Sequence, residues 1–143
     1  MQRVDCASVS VGGVTLAQIG KGILALVGIC REDSQEDLHW MAKKIVDLRI
    51  FGDGEGKLNL SLRDVGGQLL VVSQFTLFGD CRKGRRPSYS KAAPPAEAER
   101  LYVEFVNILR QLLPGTHTGQ FQAMMDVSLT NSGPVTLILD SRG

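Results

Sequence analysis

Apolar residues recur along the chain at two spacings, every second position or every third and fourth, and the switches between them mark out its elements. Positions 4–11 and 14–19 are strand-like, and Gly12-Gly13 between them suits the positive φ angles of a tight hairpin turn. After Gly20-Lys21-Gly22, the continuous apolar run 23–29 reads as a strand covered on both faces. Ser34 and Asp37 form a Ser-x-x-Asp capping signal, followed at helical spacing by Leu38, Met41, Ile45 and Leu48. Leu58, Leu60 and Leu62 alternate with Asn59 and Ser61, which predicts a half-buried strand over 57–62, closed by a turn at 64–67. A second covered strand is expected over 68–77. Pro94-Pro95 opens another helix, whose stripe Ala98, Leu101, Tyr102, Phe105, Ile108, Leu109 and Leu112 ends at Pro114-Gly115. Met125, Val127 and Leu129 alternate, Asn131-Ser132-Gly133-Pro134 turns, and 135–139 is expected as a last buried strand. The order predicts an α/β fold: a mixed sheet system with two main helices packed on it, since each helix has a single apolar face to cover.

Composition narrows the class. The chain has 143 residues, which suits one domain over 1–143. With 43% hydrophobic and 22% charged residues it matches globular averages and excludes disordered and coiled-coil classes. The longest apolar runs fall far short of the ~18–20 residues of a bilayer span. Met1-Gln2-Arg3-Val4-Asp5 carries no apolar stretch, so a secretory leader is not expected. Cys6, Cys30 and Cys81 are an odd set without Cys-x-x-Cys spacing, a pattern of reducing compartments. With only His39 and His117 besides, no metal site is expected. Net charge is +1, yet Arg82, Lys83, Arg85, Arg86 and Lys91 face only Asp80 within 79–91, a local charge of +4. Such concentration points to a local anion site instead of a surface that coats nucleic acid.

Several catalytic signatures are missing. There is no Gly-x-Ser-x-Gly elbow. The segment from Gly79 to Arg86 has the glycine spacing of a phosphate loop, but Arg85-Arg86 replace Lys-Ser/Thr and Pro87 blocks an immediate helix. Gly52-Asp53-Gly54-Glu55-Gly56 lacks the ligand ladder of a calcium loop and reads as a glycine-rich turn. His39 is expected to face solvent beside Trp40, and His117 to lie in a loop without a partner, so neither makes a convincing general base. What remains is Ser73-Gln74-Phe75-Thr76-Leu77, where a buried strand turns polar just before the basic loop. Polar groups there suit an oxyanion or an ester; the plainer reading is that Ser73 and Thr76 only cap the strand. Taken alone, Asn131-Ser132-Gly133-Pro134 is an ordinary turn whose X-Pro bond favours trans by ~0.5–1 kcal/mol.

Together, Ser73-Gln74-Phe75-Thr76-Leu77 and Asn131-Ser132-Gly133-Pro134-Val135-Thr136 resemble the two signature motifs of the D-aminoacyl-tRNA deacylases, at that family's spacing. The likeness runs nearly end to end, through Gln2-Arg3-Val4, Leu48-Arg49-Ile50-Phe51, Lys57-Leu58-Asn59-Leu60-Ser61, Arg85-Arg86-Pro87-Ser88 and Asp126-Val127-Ser128-Leu129. The resemblance implies a three-layer α/β/β fold and a cytoplasmic homodimer without cofactor or metal. Such enzymes hydrolyse the ester joining a D-amino acid to the 3′-terminal adenosine of tRNA, and act on certain glycyl-tRNAs. The resemblance further implies that Gly133-Pro134 is cis and reaches into the pocket of the other subunit. There its carbonyls would hold the substrate α-amino group and leave no room for an L side chain, with Arg3 steadying the motif. A rigid backbone wall of this kind rejects one enantiomer while ignoring side-chain identity.

Ser73, Gln74, Phe75 and Thr76 would line the catalytic pocket. Thr76 matches a position once favoured as nucleophile, but a hydroxyl without a base is weak. An activated ester, backbone oxyanion donors and a neighbouring ribose 2′-OH could suffice. Phe121 is a candidate platform for the terminal adenine, or a core aromatic. Arg82, Lys83, Arg85 and Arg86 would contact acceptor-stem phosphates, or simply solvate their loop. Two alternatives stay open on sequence alone: an editing deacylase for L-mischarged tRNA on the same fold, and a non-catalytic tRNA-binding module.

Overall fold

Strand β1 (Gln2–Val11) turns into β2 (Val14–Ile19) through Gly12-Gly13, whose φ angles are +56° and +80° in the computed structural model, which describes residues 1–143. Side chains would be strained at such angles, so the hairpin depends on glycine. β3 (Gly22–Val27) pairs in two directions. It is antiparallel to the start of β1, with Arg3 opposite Ile23, and parallel to β6 (Gln68–Ser73), with Ile23 opposite Leu69 and Val27 opposite Ser73. A parallel neighbour requires a crossover. Helix α1 (Gln35–Asp47) and the small hairpin of β4 (Phe51–Gly52) with β5 (Leu58–Leu60) supply it. Ser34 starts α1 as expected, its N–H donating to the Asp37 carboxylate at 2.8 Å. Helix α2 (Pro95–Leu112) follows, with Pro95 in its first turn, where a missing N–H costs nothing. The chain closes with β7 (His117–Thr118), parallel to β6, and β8 (Asp126–Thr136), antiparallel to β1.

Strand alternation divides the core into two layers. Ile23, Ala25 and Val27 of β3 and Leu69 and Val71 of β6 point one way, onto Leu38, Ala42, Ile45, Leu101, Phe105 and Leu109 of the two helices. Leu24, Leu70 and Val72 point the other way, onto Val4, Ala7, Val9 and Ile19 of the first hairpin. Both helices therefore share one side of the sheet and β-structure covers the other, the α/β/β layering that the resemblance implied.

Three expected elements differ. The strand expected over 68–77 stops at Ser73, because β3 ends at Val27 and offers one last carbonyl, which accepts the Gln74 N–H at 2.7 Å. With no further ladder, the chain coils into a 3-10 turn, Phe75–Phe78. The strand expected over 57–62 shrinks to Leu58–Leu60, with Ser61 buried because the Asp64 carboxylate accepts its N–H at 2.9 Å. Instead of a separate strand over 135–139, β8 runs on through Gly133-Pro134 to Thr136. Beyond it, Leu137 exchanges bonds with Met1, and Ile138 stands outside the ladder, 95% exposed.

Candidate active site

At the C-terminal end of β6, the 3-10 turn presents Phe75 and Thr76 to solvent, with Ser73 and Gln74 half-buried behind them. The first ladder bond of the turn runs from the Leu77 N–H to the Gln74 carbonyl at 3.2 Å. The N–H groups of Phe75 and Thr76 precede that bond, so neither has an acceptor inside the turn. The Gln74 side-chain amide donates to the Thr76 hydroxyl in a short contact, and no titratable group hydrogen-bonds to that hydroxyl. Thr76 thus sits beside a donor with no base in reach. Phe78 closes the rear of the turn: a Cβ built on Gly28 would lie 2.8 Å from its ring, so only glycine lets the strand end pass.

Gly133-Pro134 belongs to a large bulge in the β1–β8 ladder. Gln2 lies opposite Thr136 and Val4 opposite Asn131, so the four residues 132–135 stand against Arg3 alone and must loop out. The Gly133-Pro134 peptide is cis, as the resemblance implied. Arg3 fills the base of the bulge: its Nε donates to the Ser132 carbonyl at 3.0 Å and its Nη1 to the Ile50 carbonyl at 2.6 Å. Gly133 has φ of +125°, and a Cβ there would lie 1.8 Å from the Arg3 guanidinium. Nothing but glycine fits this backbone over that arginine.

The two motifs lie far apart within one chain. Arg3 is level with Ile23 and Ser73 with Val27, four residues further along β3. At ~3.3 Å per residue that is about 13 Å along the strands, and the three strand steps from β8 to β6 at ~4.8 Å add about 14 Å across. Phe121 and the basic loop share the Ser73 end. Phe121 is half-buried and packs on Tyr102 with ring centroids 5.8 Å apart, while the Tyr102 hydroxyl donates to the Val71 carbonyl at 3.2 Å. One face of Phe121 is therefore engaged by the core. Arg82 is tied to Asp80 through Nε at 2.9 Å and Nη2 at 2.6 Å, which holds the Asp80 carboxyl far below the usual carboxylate range. Lys83, Arg85 and Arg86 are exposed and make no ion pair, so they carry the free positive charge of the loop.

Other groups are accounted for elsewhere. His39 is exposed on α1, and His117 lies on β7 with a buried Nδ1 lacking any partner. A cavity of about 890 Å³ lies on the far side of the turn, between Leu77, Phe78, Cys30 and the terminal segment around Arg142. Cys30 donates to Asp33 at 3.1 Å, and burial with that neighbour pushes its thiol up, away from the thiolate. Two contacts had no signal in the sequence: the Ile50 carbonyl under Arg3, and Tyr89, whose ring meets Phe75 edge-on at 5.2 Å.

Comparison with known proteins finds relatives over nearly the whole chain. A family model described as D-Tyr-tRNA(Tyr) deacylase matches residues 1–140. The chain is 59% identical over 142 residues to a D-aminoacyl-tRNA deacylase of Desulfatibacillum aliphaticivorans, covering 99% of this chain and 97% of the relative. It is 56% identical to the protein of the same name in Bacillus licheniformis, with 99% and 97% covered. Among solved structures, one titled c-Myc DNA Unwinding Element Binding Protein superposes with a TM-score of 0.93 at 42% identity, covering 97% of this chain and 95% of that one. A probable eukaryotic D-amino acid tRNA deacylase shares the fold, with a TM-score of 0.76 at 18% identity and 92% of each chain covered. With the family match spanning nearly the whole sequence and both motifs standing in the geometry above, the chain belongs to the D-Tyr-tRNA(Tyr) deacylase family.

Proposed function

We propose that this chain hydrolyses the ester linking a D-amino acid to the 3′-terminal adenosine of tRNA, releasing free D-amino acid and tRNA, and so removes residues of the wrong hand before translation. The observation that carries the reading is the exposed turn after β6. It offers two backbone N–H donors without acceptors in the turn, a glutamine amide and hydroxyls, with no base on Thr76. That set suits an ester already activated by its ribose: the Phe75 and Thr76 N–H groups stabilise the carbonyl oxygen as negative charge develops on it. The substrate 2′-OH, not Thr76, helps position water and share its proton, since an unassisted hydroxyl is a poor nucleophile.

Chirality is assigned to Gly133-Pro134, whose carbonyls hold the α-amino group and block an L side chain; glycine, without a side chain, also passes, which extends the activity to glycyl-tRNA mischarged on tRNA(Ala). The separation of this bulge from the turn within one chain supports a homodimer in which Gly133-Pro134 of one subunit completes the Ser73–Thr76 pocket of the other. Phe121 is assigned to the terminal adenine through its free face, and Lys83, Arg85 and Arg86, with Arg82 at the loop base, to phosphates of the acceptor stem. A tRNA substrate and the unpaired cysteines support a cytoplasmic location, and the reaction as read needs no cofactor. The test is hydrolysis of D-tyrosyl-, L-tyrosyl- and glycyl-tRNA by the purified protein. D-tyrosyl- and glycyl-tRNA should be cleaved and L-tyrosyl-tRNA left intact; comparable rates on the two enantiomers would refute the assignment.

A further inference from the structure

Between the basic loop and the candidate catalytic turn lies a contact that no step above uses. Asp80 and Ser88 close the loop with a two-bond bridge, Asp80 N–H to Ser88 carbonyl at 2.7 Å and Ser88 N–H to Asp80 carbonyl at 3.0 Å. Each end of that bridge continues straight into the turn. On one side the Gly79 N–H donates to the Thr76 carbonyl at 2.9 Å. On the other, the Tyr89 ring packs edge-on against Phe75, at 5.2 Å between centroids and 69° between planes. Gly79 is squeezed between the two: a Cβ on it would lie 3.0 Å from the Thr76 carbonyl oxygen and 3.1 Å from the Tyr89 ring. Tyr89 is anchored from behind, where the following residues are stitched to the segment just after β3 by the Arg31 N–H to Lys91 carbonyl bond at 3.3 Å and the Ala93 N–H to Ile29 carbonyl bond at 2.9 Å.

The turn is therefore clamped between Phe78 against Gly28 at the rear and Phe75 against Tyr89 at the front. The rear clamp is half-buried at the end of the sheet. The front clamp is not: Phe75 is 57% and Tyr89 39% exposed, so their contact adds little to the core and can be lost without unfolding it. Its consequence is local, because Phe75 and Thr76 carry the backbone donors assigned to the oxyanion, and such donors act only when held in place.

We propose that Tyr89 is a positioning residue: its ring fixes the Phe75–Thr76 backbone in the geometry that receives the oxyanion, and so joins the tRNA-facing loop rigidly to the catalytic turn. The inference rests on the ester-hydrolysis reading above and names a further residue for it. The contact is made by the ring, so Tyr89→Phe should keep kcat, whereas Tyr89→Ala should lower kcat on D-tyrosyl-tRNA by about 10- to 100-fold, the cost of a small misplacement of reacting groups. KM should stay close to wild type in both. Tyr89→Leu, which keeps apolar bulk but has no ring edge, should behave like Tyr89→Ala, and it replaces that variant if the alanine protein is not folded at the assay temperature. The proposal is overturned if the ring-deleted variants keep wild-type kcat, if their loss falls in KM, which would make the ring a contact for the nucleic acid, or if Tyr89→Phe loses as much as they do. Failure of the underlying reading is separately visible, as a wild-type protein that does not cleave the D ester at all.

Discussion

Replacing Arg3 by alanine should cost the protein both stability and chiral selectivity, and the size of each follows from the two bonds it makes. The guanidinium donates to the Ser132 and Ile50 carbonyls at 3.0 and 2.6 Å, in a partly buried setting. Hydrogen bonds from charged donors contribute about 1.5–3 kcal/mol each, and water entering the vacated space would recover part of that, leaving a net loss of roughly 2–3 kcal/mol. With about 0.3 kcal/mol/K of unfolding entropy for a chain of this length, Tm should fall by about 7–10 °C. No other hydrogen bond joins the bulge to the segment after α1, so residues 132–134 would lose their fixed distance from Ile50. The carbonyls of Gly133-Pro134 would then wander, and kcat/KM for the D ester should fall by about 10²-fold. The ratio of D to L hydrolysis should fall as well, because the wall that excludes the L side chain is no longer rigid. Lysine keeps the charge but presents a single ammonium that cannot reproduce two diverging bonds, so Arg3→Lys should lie between the two. Thermal unfolding of the three proteins, with deacylation of both enantiomers below the lowest Tm, checks every step. An alanine variant within about 2 °C of wild type, with the same D to L ratio, would refute the bracing role.

Two further outcomes are expected. Thr76→Ala should retain much of the activity, whereas a substrate ending in 2′-deoxyadenosine should lose several orders of magnitude; the reverse pattern, measured by single-turnover deacylation, would restore Thr76 as nucleophile. Burial raises the Tyr102 phenol to about 12, from an ordinary value of 10.0. Below pH ~10 the phenol is protonated in both folded and unfolded chains, but between pH ~10 and ~12 only the unfolded chain releases its proton, so stability falls by about 2–3 kcal/mol across that window. Urea denaturation of wild type and Tyr102→Phe across this range should show the added slope only in wild type; equal slopes would place the titration elsewhere.

Much of the layout was legible because it follows from local pattern. The Gly12-Gly13 hairpin, the capped first helix and the stripe of the second each follow from a few neighbouring residues, and all three stand where expected. The polar end of β6 was visible too, since Val71 and Val72 give way to Ser73 and Gln74. What local pattern does not carry is the length of a partner strand. The 3-10 turn exists because β3 stops at Val27, 48 residues before the turn in sequence, and nothing between 73 and 78 announces it. Tyr89 is hidden for a similar reason: its neighbour Phe75 is brought to it by the bridge between Asp80 and Ser88 and by the bonds that tie 91–93 to the segment after β3.

The bulge at Gly133-Pro134 shows the same division more sharply. Gly133-Pro134 is conspicuous as a dipeptide, but its shape depends on a count: four residues of β8 against one of β1, with the surplus forced outward. Arg3 is the one side chain placed opposite that surplus, and its contacts lie 129 and 47 positions away in sequence. The bulge stands at one end of β3 and β6 and the turn at the other, which is why the proposed pocket draws its two halves from two copies of the chain. That arrangement has a physical merit. A backbone wall contributed from outside the subunit need not deform with the turn assigned to the chemistry, and because it would present carbonyls in place of side chains, it would test the hand of the substrate α-carbon while remaining blind to what the amino acid is.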